Sequence, residues 1–421
     1  MESKTKWAVI QPLIGGFPLG AAEAIGHKPE FIISSENLPN DLHLINYWPN
    51  VPFLTLNSED EWSTEEMKTQ FEKLNKNIDL VVGTPICSGL SQLNVNASSD
   101  SLQNENMYNL AKIILDKINP RVYIFENAPG LYSKMGAPVV EKLNNIATEF
   151  NYVTTAYKTN TYLHGIPQNR LRTFFFFWRQ DDDKYKVPEL EYFKKKTPDT
   201  ITFLETIPEN TTHNKLNSFF DTEWQQVFID YCENKIGPDW RVKIRGNKKI
   251  ISFSNYLFTN NKLDDFLNYI SNERDDISEK QKEKIKRKFD HAKYKLSIGK
   301  GYWEYSVVAY DISAMNTITS KGASHFVHPK ENRGFTIREL MTFMGLPFDF
   351  NLVKNSNGKY PENHISQNVP VKTARDIVAT ALNALNGKLP FINGAKHVKQ
   401  NNIKRKIEEG FTSKSTFSDY F

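Results

Sequence analysis

Between residues 6 and 179 the chain alternates short apolar runs with helical patterns. The runs are Trp7–Gln11, Phe31–Ser35, Phe53–Asn57, Ile78–Val82, Val122–Glu126, Tyr152–Tyr157 and Thr173–Trp178. Helical stretches lie between them at Leu19–Ile25, Ser63–Leu74, Met107–Ile118 and Val139–Phe150. Near-continuous apolar runs separated by helices specify an α/β fold, a mainly parallel seven-stranded sheet covered on both faces. Phe174–Phe177 reads as part of a buried strand rather than an aromatic cage.

After Arg179 the rhythm stops. Residues 183–330 are rich in Lys and Asn and read as a smaller, irregular second domain, so the first domain ends near residue 182. A helical pattern returns from Thr336, with Ile337, Leu340, Met341 and Met344, and again over Val371–Leu385, so 331–395 is expected to rejoin the first domain. Residues 396–421 read as a basic, polar tail. No apolar run reaches membrane length, the first residues lack the layout of a signal peptide, and two cysteines suit a reducing compartment, so a cytoplasmic setting is expected.

The net charge of +4 says little alone, but its distribution says more. Lys194–Lys196, then Arg241, Lys243, Arg245, Lys248 and Lys249, then Lys280, Lys282, Lys284, Lys286, Arg287 and Lys288 all fall in one segment. Any one cluster is ordinarily a solvated face. Three of them near Tyr294, Tyr302, Trp303 and Tyr305 fit a phosphate-tracking surface better.

Cys87 stands just past the fourth apolar run, after Gly83-Thr-Pro85, where a sheet's carboxyl edge binds ligands. A lone cysteine is ordinarily a buried structural thiol. With only Cys232 elsewhere, a metal cluster or disulfide framework is not expected, and a nucleophile becomes the sharper reading. Gly15-Gly16-Phe17 follows the first run and Glu36 ends the second, an arrangement that suits a nucleotide-like ligand but also a plain turn. The spacing is not that of a dinucleotide fingerprint. Glu126, after four apolar residues, is costly to bury unless used or paired. Arg170 and Arg172 share one strand face and need anions or carbonyl oxygens to contact.

Taken in order, Gly-Gly-Phe at 15–17, Pro-x-Cys at 85–87, Glu-Asn at 126–127, Gln-x-Arg-x-Arg at 168–172, Arg-Glu-Leu at 338–340 and Val-Pro at 369–370 resemble the DNA cytosine-5 methyltransferases. The resemblance covers roughly 1–180 and 313–385 and leaves the middle unmatched, as that family leaves its target-recognition region. It implies a Rossmann-like methyltransferase fold, S-adenosylmethionine as cofactor, double-stranded DNA as partner, and base flipping. It assigns catalysis to Cys87, Glu126, Arg170 and Arg172. It places the cofactor on Gly15, Gly16, Phe17, Glu36, Asn57, Pro85 and Asn368. Substrate contacts fall to Ser88, Ser91, Asn127, Gln168, Thr317 and Thr319, and no metal is implied. The chain departs from the family at Leu13, where a glycine is usual, at Ile86, where a proline is usual, and at Ser366-Gln367, where Gly-Asn is usual in place of Ser-Gln. Asn57 stands where Asp is common, with Asp60 close by.

The resemblance is compatible with a monomer and with a cognate restriction nuclease as partner. Three alternatives stand beside it: a tRNA cytosine-5 methyltransferase of the same architecture, a catalytically silent DNA-binding protein, and a nicotinamide oxidoreductase. The last gives no reason for Cys87, Glu126 and the arginine pair together.

Overall fold

A computed structural model describes residues 4–35, 39–56, 69, 77–86, 88–91, 96–181, 185–209, 211, 213, 225–245, 251–299, 308–309, 314–319, 326–356, 358 and 360–409. The chain forms two compact units, one of residues 1–197 and 343–421, the other of residues 198–342. These divisions fall 12 to 15 residues later than the composition changes suggest.

The first unit holds one nine-stranded sheet. Its strands are β1 (Trp7–Ile10), β2 (Phe31–Ser35), β3 (Phe53–Leu56), β4 (Leu80–Gly83), β5 (Val122–Asn127), β6 (Tyr152–Asn160), β7 (Leu171–Arg179), β8 (His397–Asn401) and β9 (Lys406–Glu409). Their order across the sheet is β9-β8-β6-β7-β5-β4-β1-β2-β3. The pairs β1/β2, β2/β3, β1/β4, β4/β5 and β6/β8 are parallel. β7 runs antiparallel to both β5 and β6. All seven strands expected from the apolar runs are present. The chain steps from β1 outward to β2 and β3, then returns on the other side as β4, so the strand order reverses between β1 and β4. Ligand crevices open at the carboxyl ends of strands at such a reversal.

The four phenylalanines of β7 illustrate the strand period of two. Phe175 and Phe177 enter the core beside Tyr123 and Phe125 of β5, with ring centroids 5.3 Å apart for Phe125–Phe175 and 5.5 Å for Tyr123–Phe177. Phe174 points the other way, where its ring meets Phe17 edge to face at 5.6 Å. Each cross-strand aromatic pair contributes about 0.2–1 kcal/mol beyond alanine. Helices α2 (Gln103–Ile113) and α3 (Ala137–Glu149) send Met107, Leu110, Val139, Val140 and Leu143 into the core that holds Phe175 and Phe177.

The expectation of a loose tail from Lys396 is corrected. Residues 397–401 and 406–409 extend the sheet beyond β6 as β8 and β9. The sequence signal was missed because β8 is polar. Its buried Gln400 and Asn402 just beyond it serve as backbone partners: Leu190 N donates to Gln400 Oε1 at 3.0 Å, and Phe193 N to Asn402 Oδ1 at 2.7 Å. These bonds also hold residues 190–193 in the first unit.

Helix α1 (Gly16–Ile25) packs on α4 (Val371–Leu385) through its small residues. A Cβ at Gly16 would lie 1.9 Å from Val369 O, and one at Gly20 would lie 2.4 Å from Val371 O and 2.6 Å from the Ala374 Cβ. The close approach that these glycines allow is therefore to the protein's own chain.

Among its described residues the second unit is mainly helical. Helices at Gln225–Lys235, Leu263–Asn272 and Glu279–Ser297 surround a core that includes Phe228, Cys232, Trp240, Phe266 and Phe289. Burial pushes the Cys232 thiol well up, which keeps it protonated and unreactive. No helix among the described residues is long and apolar enough to cross a membrane.

The α1–α4 contact makes a direct prediction. Gly20→Ala should cost about 1–3 kcal/mol in chemical denaturation through overpacking. Gly26→Asn, at a left-handed position with open space around it, should change stability little. Equal effects of the two substitutions would contradict this packing.

Candidate active site

Because β7 is antiparallel, its first residues lie beside the last residues of β5. Glu126 is opposite Phe174, and Asn127 is opposite Thr173. One strand further on, Gly83 at the end of β4 is opposite Phe125. The carboxyl edge therefore gathers the segment after β4, the end of β5 and the start of β7. Cys87 falls four residues after Gly83 in the sequence but lies outside the described residues, as do Glu36 and Asn57.

Glu126 is 4% exposed and pairs with Arg172, whose Nε lies 2.5 Å from Oε1. Burial pushes the Glu126 carboxyl up, and the Arg172 and Arg170 guanidiniums pull it back only in part. The result is a carboxyl held in place with raised proton affinity at the rim of the sheet. Such a group can donate a proton or a hydrogen bond to a ligand nitrogen.

The partner arginine plays another part. Arg170 is fully buried, and its NH2 donates to Ser366 O at 2.6 Å and Asn368 O at 2.9 Å. Asn368 Oδ1 in turn accepts the Gly16 N–H at 2.7 Å. Arg170 is thus a positioning residue that ties the start of β7, through the 366–368 backbone, to the loop after β1. Asn368 Nδ2 is buried and has no hydrogen-bond partner among the described residues.

Gly15 in that loop has φ +113°, and Leu13 has φ +52°. Both are in the left-handed region that favours glycine, which is the residue type the resemblance expects at Leu13. Phe17 is 1% exposed, packed within the protein on Phe174. Pro85 is buried. Asp41 was not foreseen. It is 2% exposed, neither carboxylate oxygen meets a hydrogen-bond partner among the described residues, and burial pushes its carboxyl well up. Its sequence signal was a carboxylate directly ahead of the apolar helix Leu42–Tyr47.

The residues flanking Cys87 are anchored to α2. Ile86 N donates to Asn106 Oδ1 at 3.2 Å, Ser88 Oγ donates to Gln103 Oε1 at 2.6 Å, and Asn104 Nδ2 donates to Ser98 O and Ser99 O. Ser91 is half-buried. Asn127 is fully buried, and its Oδ1 accepts the Ala128 N–H, so it shapes the turn after β5. Gln168 is buried and donates to Phe343 O at 3.2 Å. Thr317 and Thr319 are half-buried in the second unit, just beyond the short strand Met315–Asn316. Among the described residues no cluster of His, Cys, Asp and Glu could hold a metal ion.

A family model described as C-5 cytosine-specific DNA methylase matches residues 13–383. The chain belongs to this family. It is 22% identical over 175 residues to the type II methyltransferase M.NgoPII of Neisseria gonorrhoeae, a match covering 38% of this chain and 51% of that one. It is 21% identical over 336 residues to M.BanI of Aneurinibacillus aneurinilyticus, covering 68% and 77%. The match to M.Bpa9945I of Bacillus paralicheniformis, at 23% identity, spans 31% of this chain and only 32% of that relative. Among solved structures, the methyltransferase EhMeth of Entamoeba histolytica superposes with a TM-score of 0.56 at 11% identity, over 91% of this chain and 99% of that one. The S. pombe Dnmt2 methyltransferase gives 0.51 at 12%, with the same coverage. These structural likenesses support the α/β fold.

Two measurements check the geometry of this site. Arg172→Gln removes the nearest countercharge, so Glu126 should titrate at higher pH than in the wild type, read from its carboxyl 13C shift. A folded-state value above the unfolded one gives stability that is complete at low pH and lost as pH rises through the folded value. The variant should therefore lose stability relative to the wild type as pH is raised. An unchanged titration would show that the ion pair has no hold on Glu126. Arg170→Lys shortens the side chain and withdraws the buried nitrogen that bonds both carbonyls, and should cost about 2–3 kcal/mol in chemical denaturation.

Proposed function

We propose that the protein methylates carbon 5 of cytosine in double-stranded DNA, with S-adenosylmethionine as methyl donor. The observation that carries this reading is the buried Glu126–Arg172 pair at the carboxyl end of β5, one strand from the end of β4 and the approach to Cys87. A nicotinamide oxidoreductase would have no use for that pair.

Cytosine C5 is a weak nucleophile, and the chain's residues supply what it lacks. The Cys87 thiolate forms a bond to C6, and the C5–C6 π electrons move through the ring toward N3. Glu126, with its raised proton affinity, delivers a proton or strong hydrogen bond to N3 as charge builds there. Arg172 holds the Glu126 carboxyl in place. The electron-rich ring that results is nucleophilic at C5. S-adenosylmethionine, when bound, supplies an electrophilic methyl group. Loss of the C5 proton and breakage of the S–C6 bond then restore the aromatic ring and free Cys87. The base must leave the duplex to be reached at all.

The loop after β1 suits such a donor. Among the described residues, Asn368 Nδ2 and the Asp41 carboxyl are buried polar groups without hydrogen-bond partners, of the types that would meet the carboxylate and ammonium of an amino-acid moiety. Phe17, Glu36, Asn57 and Pro85 are assigned to the same pocket by the family pattern. The second unit, residues 198–342, reads and holds the target, with Thr317 and Thr319 as candidate contacts. A cognate nuclease and a monomeric state belong to the same reading, as does a cytoplasmic location.

The direct experiment incubates the protein with S-adenosylmethionine and unmodified duplex DNA and assays nucleosides by mass spectrometry. 5-Methyldeoxycytidine is expected from the wild type and none from Cys87→Ala, while Glu126→Gln should lower turnover by about 100-fold or more. Product from a tRNA substrate and none from varied duplex DNA would transfer the activity to RNA.

A further inference from the structure

Ile86 stands directly before Cys87, where the family pattern has proline. The exchange changes the backbone that leads into the thiol in two ways. Proline fixes φ near about −65° and carries no N–H. Isoleucine leaves φ freer and adds a donor that needs a partner. That partner is Asn106 of α2, whose Oδ1 accepts the Ile86 N–H at 3.2 Å. Asn106 is 4% exposed and is followed along the helix by the core residues Met107, Leu110 and Ala111. Asparagine is a weaker helix former than alanine or leucine, and its amide is costly to bury without a hydrogen bond. The Ile86 N–H offsets that cost.

The same helix holds the residue on the other side of Cys87. Ser88 Oγ donates to Gln103 Oε1 at 2.6 Å. Gln103 and Asn106 are three residues apart on α2 and so share one of its faces. Cys87 itself lies outside the described residues, but both of its chain neighbours meet one turn of one helix. α2 also reaches the end of β5, where Asn127 Nδ2, next to Glu126, donates to Met107 Sδ at 3.9 Å. An ion pair between Glu105 and Lys142 at 2.9 Å ties it to α3. The helix is therefore a common support for the flanks of Cys87 and for the strand end that carries Glu126.

We propose that Asn106 is a positioning residue for the Cys87 nucleophile, acting through the Ile86 N–H, an inference that rests on the methyl-transfer reading above. Attack on C6 is sensitive to placement, and a displacement of about 1 Å costs on the order of 100-fold in rate. The Asn106 bond restrains the backbone freedom that isoleucine introduces at 86. It does by a hydrogen bond what a proline does by its ring. A specific compensation follows. With isoleucine at 86, Asn106 is required for turnover; with proline at 86, there is no N–H to hold and Asn106 becomes dispensable.

The test uses the full chain with S-adenosylmethionine and duplex DNA, and compares wild type, Asn106→Ala, Ile86→Pro and the double variant, each checked for folding by circular dichroism. Asn106→Ala should lower kcat by about 10–100-fold and leave KM for DNA within about twofold. On the Ile86→Pro background the same alanine should cost less than about 3-fold. An equal loss in both backgrounds marks a merely structural asparagine and overturns the proposal. So does a loss carried by KM, or an Ile86→Pro enzyme without turnover. A second measurement needs no substrate: exchange of the Ile86 amide, followed in protein labelled with 15N-isoleucine. That amide should exchange about 2–10-fold faster in Asn106→Ala than in the wild type. An unprotected Ile86 amide in the wild type overturns the proposal whatever the variants do. If Asn106→Ala does not fold while the double variant folds and turns over, the compensation holds. If neither folds, Asn106 is a core strut and the proposal fails. If the wild type makes 5-methyldeoxycytidine and both backgrounds respond alike, the positioning role fails and the activity stands. If the wild type makes no methylated cytosine on duplex DNA or tRNA, the methyl-transfer reading falls and the positioning role with it.

Discussion

The antiparallel insertion of β7 between β5 and β6 is the constraint on which the rest depends. In an all-parallel sheet the start of that strand would lie at the opposite edge from the end of β5. Reversed, it delivers Arg172 to Glu126 and Arg170 to the 366–368 backbone at the same rim. The aromatic ladder from Phe174 to Phe177 holds the insertion on both faces of the sheet. The geometry of the candidate site and core packing are thus properties of one strand.

Two arginines two residues apart illustrate how the same side chain divides labour. Arg172 is partly exposed and faces a carboxylate, so it tunes a titrating group. Arg170 is fully buried and faces carbonyls, so it holds backbone. Through Asn368 and Gly16 that hold extends to the loop after β1. The Gly16 and Gly20 contacts with the segment 368–375 close the same circuit from the other side. The segments assigned to cofactor and to cytosine are therefore parts of one hydrogen-bonded frame within the first unit.

Much of this was legible because the signals are local. Seven apolar runs gave seven strands, and a carboxylate after four apolar residues gave Glu126. The misses share a cause. β8 is polar because its side chains bond residues 190–193, and no periodicity announces a strand whose buried side is amides. The helical second unit was hidden because its core residues are spread among many lysines and asparagines. Asp41 gave only the faint signal of an acid before an apolar helix.

By itself the sequence determined the fold class, the family and the types of residue available for chemistry, because alternation of apolar runs and the order of short motifs are one-dimensional properties. The tertiary structure decided which arginine meets Glu126 and which glycines serve packing. Those outcomes depend on strand direction and burial. Spacing along the chain constrains these without settling them, since partners distant in sequence supply the contacts.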